Sequence, residues 1–209
     1  MSEEELEQER RKVVRAAMAA MERRGEEMTR SKLVAELGIA RTRLDTLFPD
    51  DAALFDAVVA EWFAPKLAVM DEVMASDLPI RRKLYEFFAR RFILLRDNYR
   101  RDPAAFRLYI EMGEQHFERA RSFIDLADHY LCELIAEAQA EGYFPELAIN
   151  EALSLINQIA NCYIQPYHIA MLEDRLSEEK LARIIDTLFA GLSGVDGGAK
   201  GVAGLRAAK

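Results

Sequence analysis

The stretch Thr29-Arg30-Ser31-Lys32-Leu33-Val34-Ala35-Glu36-Leu37-Gly38-Ile39-Ala40-Arg41-Thr42-Arg43-Leu44-Asp45-Thr46-Leu47-Phe48 reads as two short helices joined at a glycine. Thr29 is placed to cap the first helix, whose apolar positions are Leu33, Val34 and Leu37. Gly38 supplies the left-handed backbone of a tight turn, and Ile39 tucks under it. The second helix runs from Arg41 to Phe48, and Pro49 ends it. Leu44, Leu47 and Phe48 form its inner face, which leaves Arg41, Thr42, Arg43 and Thr46 facing outward. Two short helices crossing at a glycine turn, the second carrying basic and hydroxyl side chains, form a helix-turn-helix. Its second helix can enter a DNA major groove. The same residues also suit an ordinary helical corner.

The surroundings favour the DNA reading. Residues 10–62 resemble the DNA-binding domain of the TetR family of bacterial regulators. In that family a first helix ends in Gly and a Thr opens the second. A Gly-Val-Ser-like turn follows, then a short recognition helix ending in Tyr-x-x-Phe, then a Lys and a Leu. Here the first helix, 10–24, is followed by Gly25, and Thr29 stands at the Thr position. Gly38-Ile39-Ala40 matches the turn, Leu44 and Phe48 the buried recognition-helix positions, and Leu54 the Leu of helix four. The spacing holds without a gap from Thr29 to Leu54. Three positions depart from the pattern. Ala40 stands where a Ser usually caps the recognition helix, a loss of about 1 kcal/mol. Asp45 replaces a Tyr and Asp51 a Lys that lie near DNA phosphate in the family. A carboxylate there repels phosphate and lowers the electrostatic part of affinity. Asp50 or Asp51 is equally well placed to cap helix four.

The chain has 209 residues and a net charge of −8, which argues against a generally basic nucleic-acid coat. Charge is uneven, however. Residues 10–43 hold ten basic side chains, Arg10, Arg11, Lys12, Arg15, Arg23, Arg24, Arg30, Lys32, Arg41 and Arg43, against Glu22, Glu26, Glu27 and Glu36. A basic patch on an acidic protein fits a DNA reader with a second task, and a solvated helix face fits it as well. Hydrophobic residues at 51% and charged residues at 31% are a globular balance. Cys132 and Cys162 are isolated, which suggests a reducing compartment. The acidic start is unlike a signal peptide, and no apolar run approaches the ~20 residues of a membrane span. A cytoplasmic protein is expected.

Periodicity predicts an all-α chain of about nine helices. Residues 1–9 read as a disordered acidic lead, 10–62 as the DNA-binding head, 63–193 as a helical body and 194–209 as a disordered Gly- and Ala-rich tail. Helix four is expected to continue through Pro65 as one kinked helix to about residue 75. Helix five sets Leu84, Phe87, Phe88, Phe92 and Leu95 against a polar face of Arg81, Arg82, Arg90, Arg91 and Arg96. Asp102-Pro103 opens helix six. Helix eight is expected over 146–172, broken or bent at Pro166, and Ser177 caps helix nine. A three-helix head with a helical body is also the layout the TetR resemblance implies.

In the body, Phe88, Phe92, Tyr109, Met112, His116, Tyr163 and His168 are candidates for the wall of an effector site, an apolar space with a few polar tips. Aromatics at helical spacing serve equally as plain core. The resemblance implies that the last two helices pair in a homodimer, with Ile156, Ile159, Tyr163, Ile184, Ile185 and Leu188 at the interface. Core packing within one subunit is the other use for these residues. With three His, no H-E-x-x-H, no phosphate loop and no G-x-S-x-G, no enzyme, cofactor or metal is expected. Asp125 and His129, four residues apart, suit a helix-surface pair better than a metal site.

These observations point to a ligand-responsive regulator, a repressor, binding a palindromic double-stranded DNA operator as a homodimer. Arg41, Thr42, Arg43 and Thr46 carry base or phosphate contacts, with Thr29 and Arg30 on the DNA backbone. A small organic effector in the body releases the DNA. The alternative is a TetR-shaped helical dimer that has lost DNA binding and serves as a small-molecule or protein-binding module, motivated by Asp45, Asp51 and the net charge.

Overall fold

The computed structural model describes residues 2–194. Apart from Gly194, the expected tail lies outside the described residues. Among them are ten α-helices and no strand. They are α1 (Glu3–Arg24), α2 (Arg30–Leu37), α3 (Arg41–Leu47), α4 (Asp51–Met74), α5 (Ile80–Arg101), α6 (Pro103–Gln115), α7 (Phe117–Ala140), α8 (Ile149–Ile164), α9 (Pro166–Leu172) and α10 (Glu178–Leu192). One 3-10 turn, Glu173–Arg175, follows α9.

One expectation changes, and one open alternative is decided. The lead expected to be disordered is helical from Glu3, because Ser2 and Glu5 close a capping box. The Ser2 hydroxyl accepts from the Glu5 amide at 3.2 Å, and the Glu5 carboxylate accepts from the Ser2 amide at 2.7 Å. Glu3, Glu4 and Glu5 sit at the positive end of the helix dipole, so acidic composition favours order here. The long eighth helix is broken at Pro166, not bent. Gln165 takes an extended backbone and Pro166 starts α9, which accounts for ten helices where nine were expected. Pro65, by contrast, lies inside α4, which runs on to Met74 as expected.

The described residues of Met1–Ala68 and Arg96–Asp125 form one compact unit, and those of Val69–Leu95 and Leu126–Lys209 a second. In the first, Val14, Ala17 and Met21 of α1, Leu33 of α2, and Leu44, Leu47 and Phe48 on and after α3 share one core. Leu54, Phe55 and Val58 of α4 and Tyr109 and Met112 of α6 complete it. Leu37 stays out of it, 37% exposed, so α2 is anchored chiefly through Leu33. In the second unit the buried residues include Leu84, Phe87, Phe88 and Phe92 of α5, and Leu131, Leu134 and Ile135 of α7. Ile156, Ala160 and Tyr163 of α8, and Leu181, Ile185, Leu188 and Phe189 of α10, are buried as well. Among the described residues no helix is long and apolar enough to cross a membrane.

Candidate nucleic-acid interface and helical body

The helix-turn-helix forms as its residues dictate. The Thr29 hydroxyl accepts from the Lys32 amide at 3.3 Å and caps α2. Gly38 takes the left-handed conformation, φ 63°, and donates its N–H to the Val34 carbonyl at 3.1 Å. Ala40 caps α3 with backbone alone, so the side-chain cap is missing as the sequence implies. Buried Leu44, Leu47 and Phe48 turn Arg41, Thr42, Asp45 and Thr46 outward, while Arg43 is half-buried. The Thr46 hydroxyl donates back to the Thr42 carbonyl at 2.9 Å.

The charges of this head are largely spent on one another. Arg30 Nη1 donates to Asp45 Oδ1 at 2.7 Å, to the Phe48 carbonyl at 3.0 Å and to the Pro49 carbonyl at 2.7 Å. Its own amide donates to Asp51 Oδ1 at 2.7 Å. Arg30 thus ties the start of α2 to the end of α3, and Asp45 and Asp51 serve it as acceptors. Asp50, not Asp51, caps α4, its carboxylate accepting from the Ala53 amide at 2.7 Å. Arg43 donates from Nε to Glu9 Oε1 at 2.8 Å and from Nη2 to Glu9 Oε2. The Arg43 hydrogen bond holds the Glu9 carboxyl below its ordinary range, and Glu9 in turn raises Arg43.

Most of the other cations counted between residues 10 and 43 are paired too. Arg15 meets Glu61 at 2.8 Å, Lys32 meets Glu26 at 2.8 Å, Arg11 meets Glu7 at 3.3 Å, and Arg23 and Arg24 share Glu36. Arg10 lies over the Phe48 ring, 5.0 Å from its centre. Arg41 is exposed and has no hydrogen-bond or ion-pair partner among the described residues. It borders a shallow hollow with Arg30, Asp45 and Asp51. A basic patch read from local counts is therefore far less basic once folded.

The candidate effector residues fall in both units. Tyr109, Met112 and His116 belong to the first. Tyr109 stacks on Trp62, centroids 5.6 Å apart, and donates its hydroxyl to Glu22 Oε1 at 3.3 Å; burial and Glu22 push its pKa up. Met112 is buried in the same core. His116 leans on Phe55 at 4.2 Å and meets Glu27 across 3.3 Å. Phe88, Phe92, Tyr163 and His168 belong to the second unit. Phe88, Phe92 and Tyr163 are buried, and Phe92 meets Tyr163 edge-on at 5.1 Å. His168 Nδ1 lies 3.4 Å from the Asn161 amide.

A polar group missed by the sequence reading lies in the second unit. Arg91, assigned above to the solvent face of its helix, follows Phe87 by four residues and lies over the Phe87 ring at 5.0 Å. Asn157 of α8 donates to Asp128 Oδ1 of α7 at 2.8 Å. The spacing from Phe87 to Arg91 was the available signal, since residues four apart share a helix face.

The proposed interface set needs correction. Ile156, Tyr163 and Ile185 are at most 3% exposed within one subunit and have no surface left to bury against another. Leu188 is nearly as closed, at 4%. Ile159, 49% exposed, and Ile184 face outward instead. With Arg183, Thr187, Leu188, Gly191 and Leu192 they line an apolar surface groove. As for metals, His129 pairs with Glu133 at 3.2 Å and Asp125 approaches Arg121 at 3.9 Å. Among the described residues no group of three or more His, Cys, Asp or Glu could hold a metal ion.

Comparison with known proteins adds family evidence. Residues 81–185 match the family described as tetracyclin repressor-like, C-terminal domain. No curated protein sequence matches the chain. The fold resembles that of the fatty acid degradation regulator FadR from Bacillus halodurans: TM-score 0.64, 15% identity, covering 86% of this chain and 94% of that one. A Mesorhizobium loti protein assigned to the TetR family of transcriptional regulators gives 0.62 at 16% identity, covering 90% and 96%. FadR from Bacillus subtilis, solved in complex with stearoyl-CoA, gives 0.61 at 14% identity, covering 86% and 97%.

Proposed function

The chain belongs to the TetR family of transcriptional regulators, and from that premise we propose that it is a repressor which binds a palindromic operator as a homodimer and releases it when a small organic effector enters the helical body. The observation that carries the DNA half is the outward face of α3. Arg41 and Thr42 stand exposed on a short helix whose other side is locked into the core, as base reading in a major groove requires. Thr46 and Arg43 flank them, and Thr29 and Arg30 set the helix against the DNA backbone. Two heads in a dimer meet half-sites about one helical turn apart. The groove of Ile159, Ile184 and Leu192 is the apolar surface such a dimer would cover. An effector acts by binding one head spacing better than the other.

A second reading draws on the pairing of Arg43 with Glu9 and of Arg30 with Asp45: a TetR-shaped dimer without DNA binding, serving as a small-molecule or protein-binding module. One experiment separates the two. Fluorescence anisotropy is measured on duplex DNA from immediately upstream of the gene, at low and moderate salt, for the parent protein and for Arg41→Ala. The repressor reading expects saturable, salt-dependent binding that beats scrambled duplex, weakened in Arg41→Ala by about 1–3 kcal/mol. No binding at either salt by a folded dimer favours the module.

A further inference from the structure

Buried cations in folded proteins are paired, because an unpaired one loses hydration without recompense. Among the described residues of the second unit three cations are not fully exposed, Lys83 buried and Arg90 and Arg91 half-buried, and two of them are paired. Lys83 donates to both oxygens of Glu137, at 2.9 and 3.0 Å. Arg90 is held by Glu86 at 2.9 Å and Glu72 at 3.0 Å. Arg91, half-buried, is the exception. Among the described residues it has no hydrogen-bond or ion-pair partner, and its side chain rests on Phe87.

Its setting is apolar. On the same helix Phe87, Phe88, Phe92 and Leu95 are each at most 2% exposed. Burial pulls the Arg91 pKa down to about 10, with Asp128 opposing the fall. The group therefore stays charged at neutral pH, desolvated but still partly reachable. Asp128 is near enough to be felt, yet its Oδ1 accepts from Asn157. Burial also raises the neighbouring Cys132 thiol, and Asp128 adds to the rise. The planar, five-donor fork of Arg91 has no acceptor among the described residues.

We propose that Arg91 anchors a single carboxylate carried on an apolar body, and that amphipathic carboxylates are the chemical class of the effector; this rests on the effector-regulated reading above. A guanidinium fork matches a carboxylate with two parallel hydrogen bonds. Phe87 lies under the guanidinium, and the phenylalanines of this helix are closed within one subunit, so an alkyl or ring body would lie against them only once they part. Asp128 argues against a dianion. Arg91 and Asp128 already cancel, so a carboxylate leaves one negative charge in excess and a phosphate monoester dianion about two.

The test is isothermal titration calorimetry on the full-length protein without DNA, using decanoate, decanol and decyl phosphate as probes. Decanoate is expected to bind saturably, at least about tenfold tighter than decanol and tighter than decyl phosphate. Arg91→Gln is expected to erase the preference for decanoate while leaving decanol binding in place. Arg91→Lys keeps the charge but not the fork and is expected to fall between; it also serves if Arg91→Gln does not fold. Equal affinity for decanoate and decanol, decanoate binding undiminished in Arg91→Gln, stronger binding of decyl phosphate, or no binding of any probe overturns the proposal. Because no DNA is present, its failure is separable from that of the regulator reading. Decanol binding without preference leaves an effector site of another class, and Arg91-dependent decanoate binding stands even in a protein that ignores the operator.

Discussion

Arg30 and Arg43 in the helix-turn-helix unit and Arg91 in the second unit are all arginines withdrawn in part from water, and the fold treats them in opposite ways. The first two have carboxylates, Asp45 and Glu9, delivered to 2.7 and 2.8 Å from other helices. The third has an aromatic ring beneath it and no acceptor among the described residues. A paired arginine holds the fold together and must give up a partner before it can meet anything else. An unpaired one holds nothing and is available to a ligand. The unit with the proposed DNA face is thus restrained by its own acids, and the second unit is the one proposed to receive an external anion.

The largest test asks whether the two regions can be compared separately at all. Phe48 is fully buried at the end of α3 and fixes the reading helix to α1 and α4. Phe48→Ala is expected to cost about 3–5 kcal/mol, read as a fall in the urea midpoint, and to abolish duplex binding. Decanoate binding at Arg91 is expected to persist in the protein that remains folded. If decanoate binding disappears together with DNA binding, the contrast between the two regions is not one of independent sites.

The next test changes the restraint itself. Glu9→Gln removes the charge that holds Arg43 and one that repels phosphate. Duplex binding is expected to tighten a few-fold, with a salt dependence steeper by about one phosphate contact, measured by anisotropy across a salt series. Weaker binding would reverse the picture: Glu9 would then be orienting Arg43 for DNA, and pairing would be preparation, not restraint.

What could be read from the chain follows from how far apart the interacting residues lie. The Thr29 cap, the Gly38 turn and the buried Leu44 and Phe48 depend on neighbours within one helical turn, and each formed as expected. The charge pattern did not transfer, because Glu9 lies 34 residues from Arg43 and Asp45 lies 15 from Arg30. Counting charges along a window cannot see such partners. Arg91 went to the wrong face for a different reason: it stands between Arg90 and Phe92, and composition outweighed its four-residue spacing from Phe87. The start of α1 was misread likewise, since the run of glutamates obscured the Ser2–Glu5 capping box. The resemblance placed Ile156 and Ile185 at an interface, with core packing as their other use, and periodicity could not choose, because it identifies an apolar face but not which molecule covers it.

The smallest expected effect is the response to acid, and it bears on whether the pairs near α3 matter at all. Hydrogen bonds from Arg43, Lys32, and Arg23 with Arg24 hold the carboxyls of Glu9, Glu26 and Glu36 below the ordinary 4.5. A carboxyl whose folded pKa is lowered stabilises the fold above its unfolded pKa, and that contribution is lost as pH falls through the folded value. Stability is therefore expected to be level down to about pH 5 and to decline below it. Arg91 has no paired carboxylate and adds nothing to that decline. Urea unfolding between pH 3 and pH 7 measures it, and Glu36→Gln, which removes the acceptor shared by Arg23 and Arg24, is expected to make the acid slope shallower. Exposed pairs often contribute nothing measurable. An acid slope identical in the parent and Glu36→Gln would place these pairs in that class. The cations near α3 would then be as available as Arg91, and the difference between the two regions would lie in burial alone.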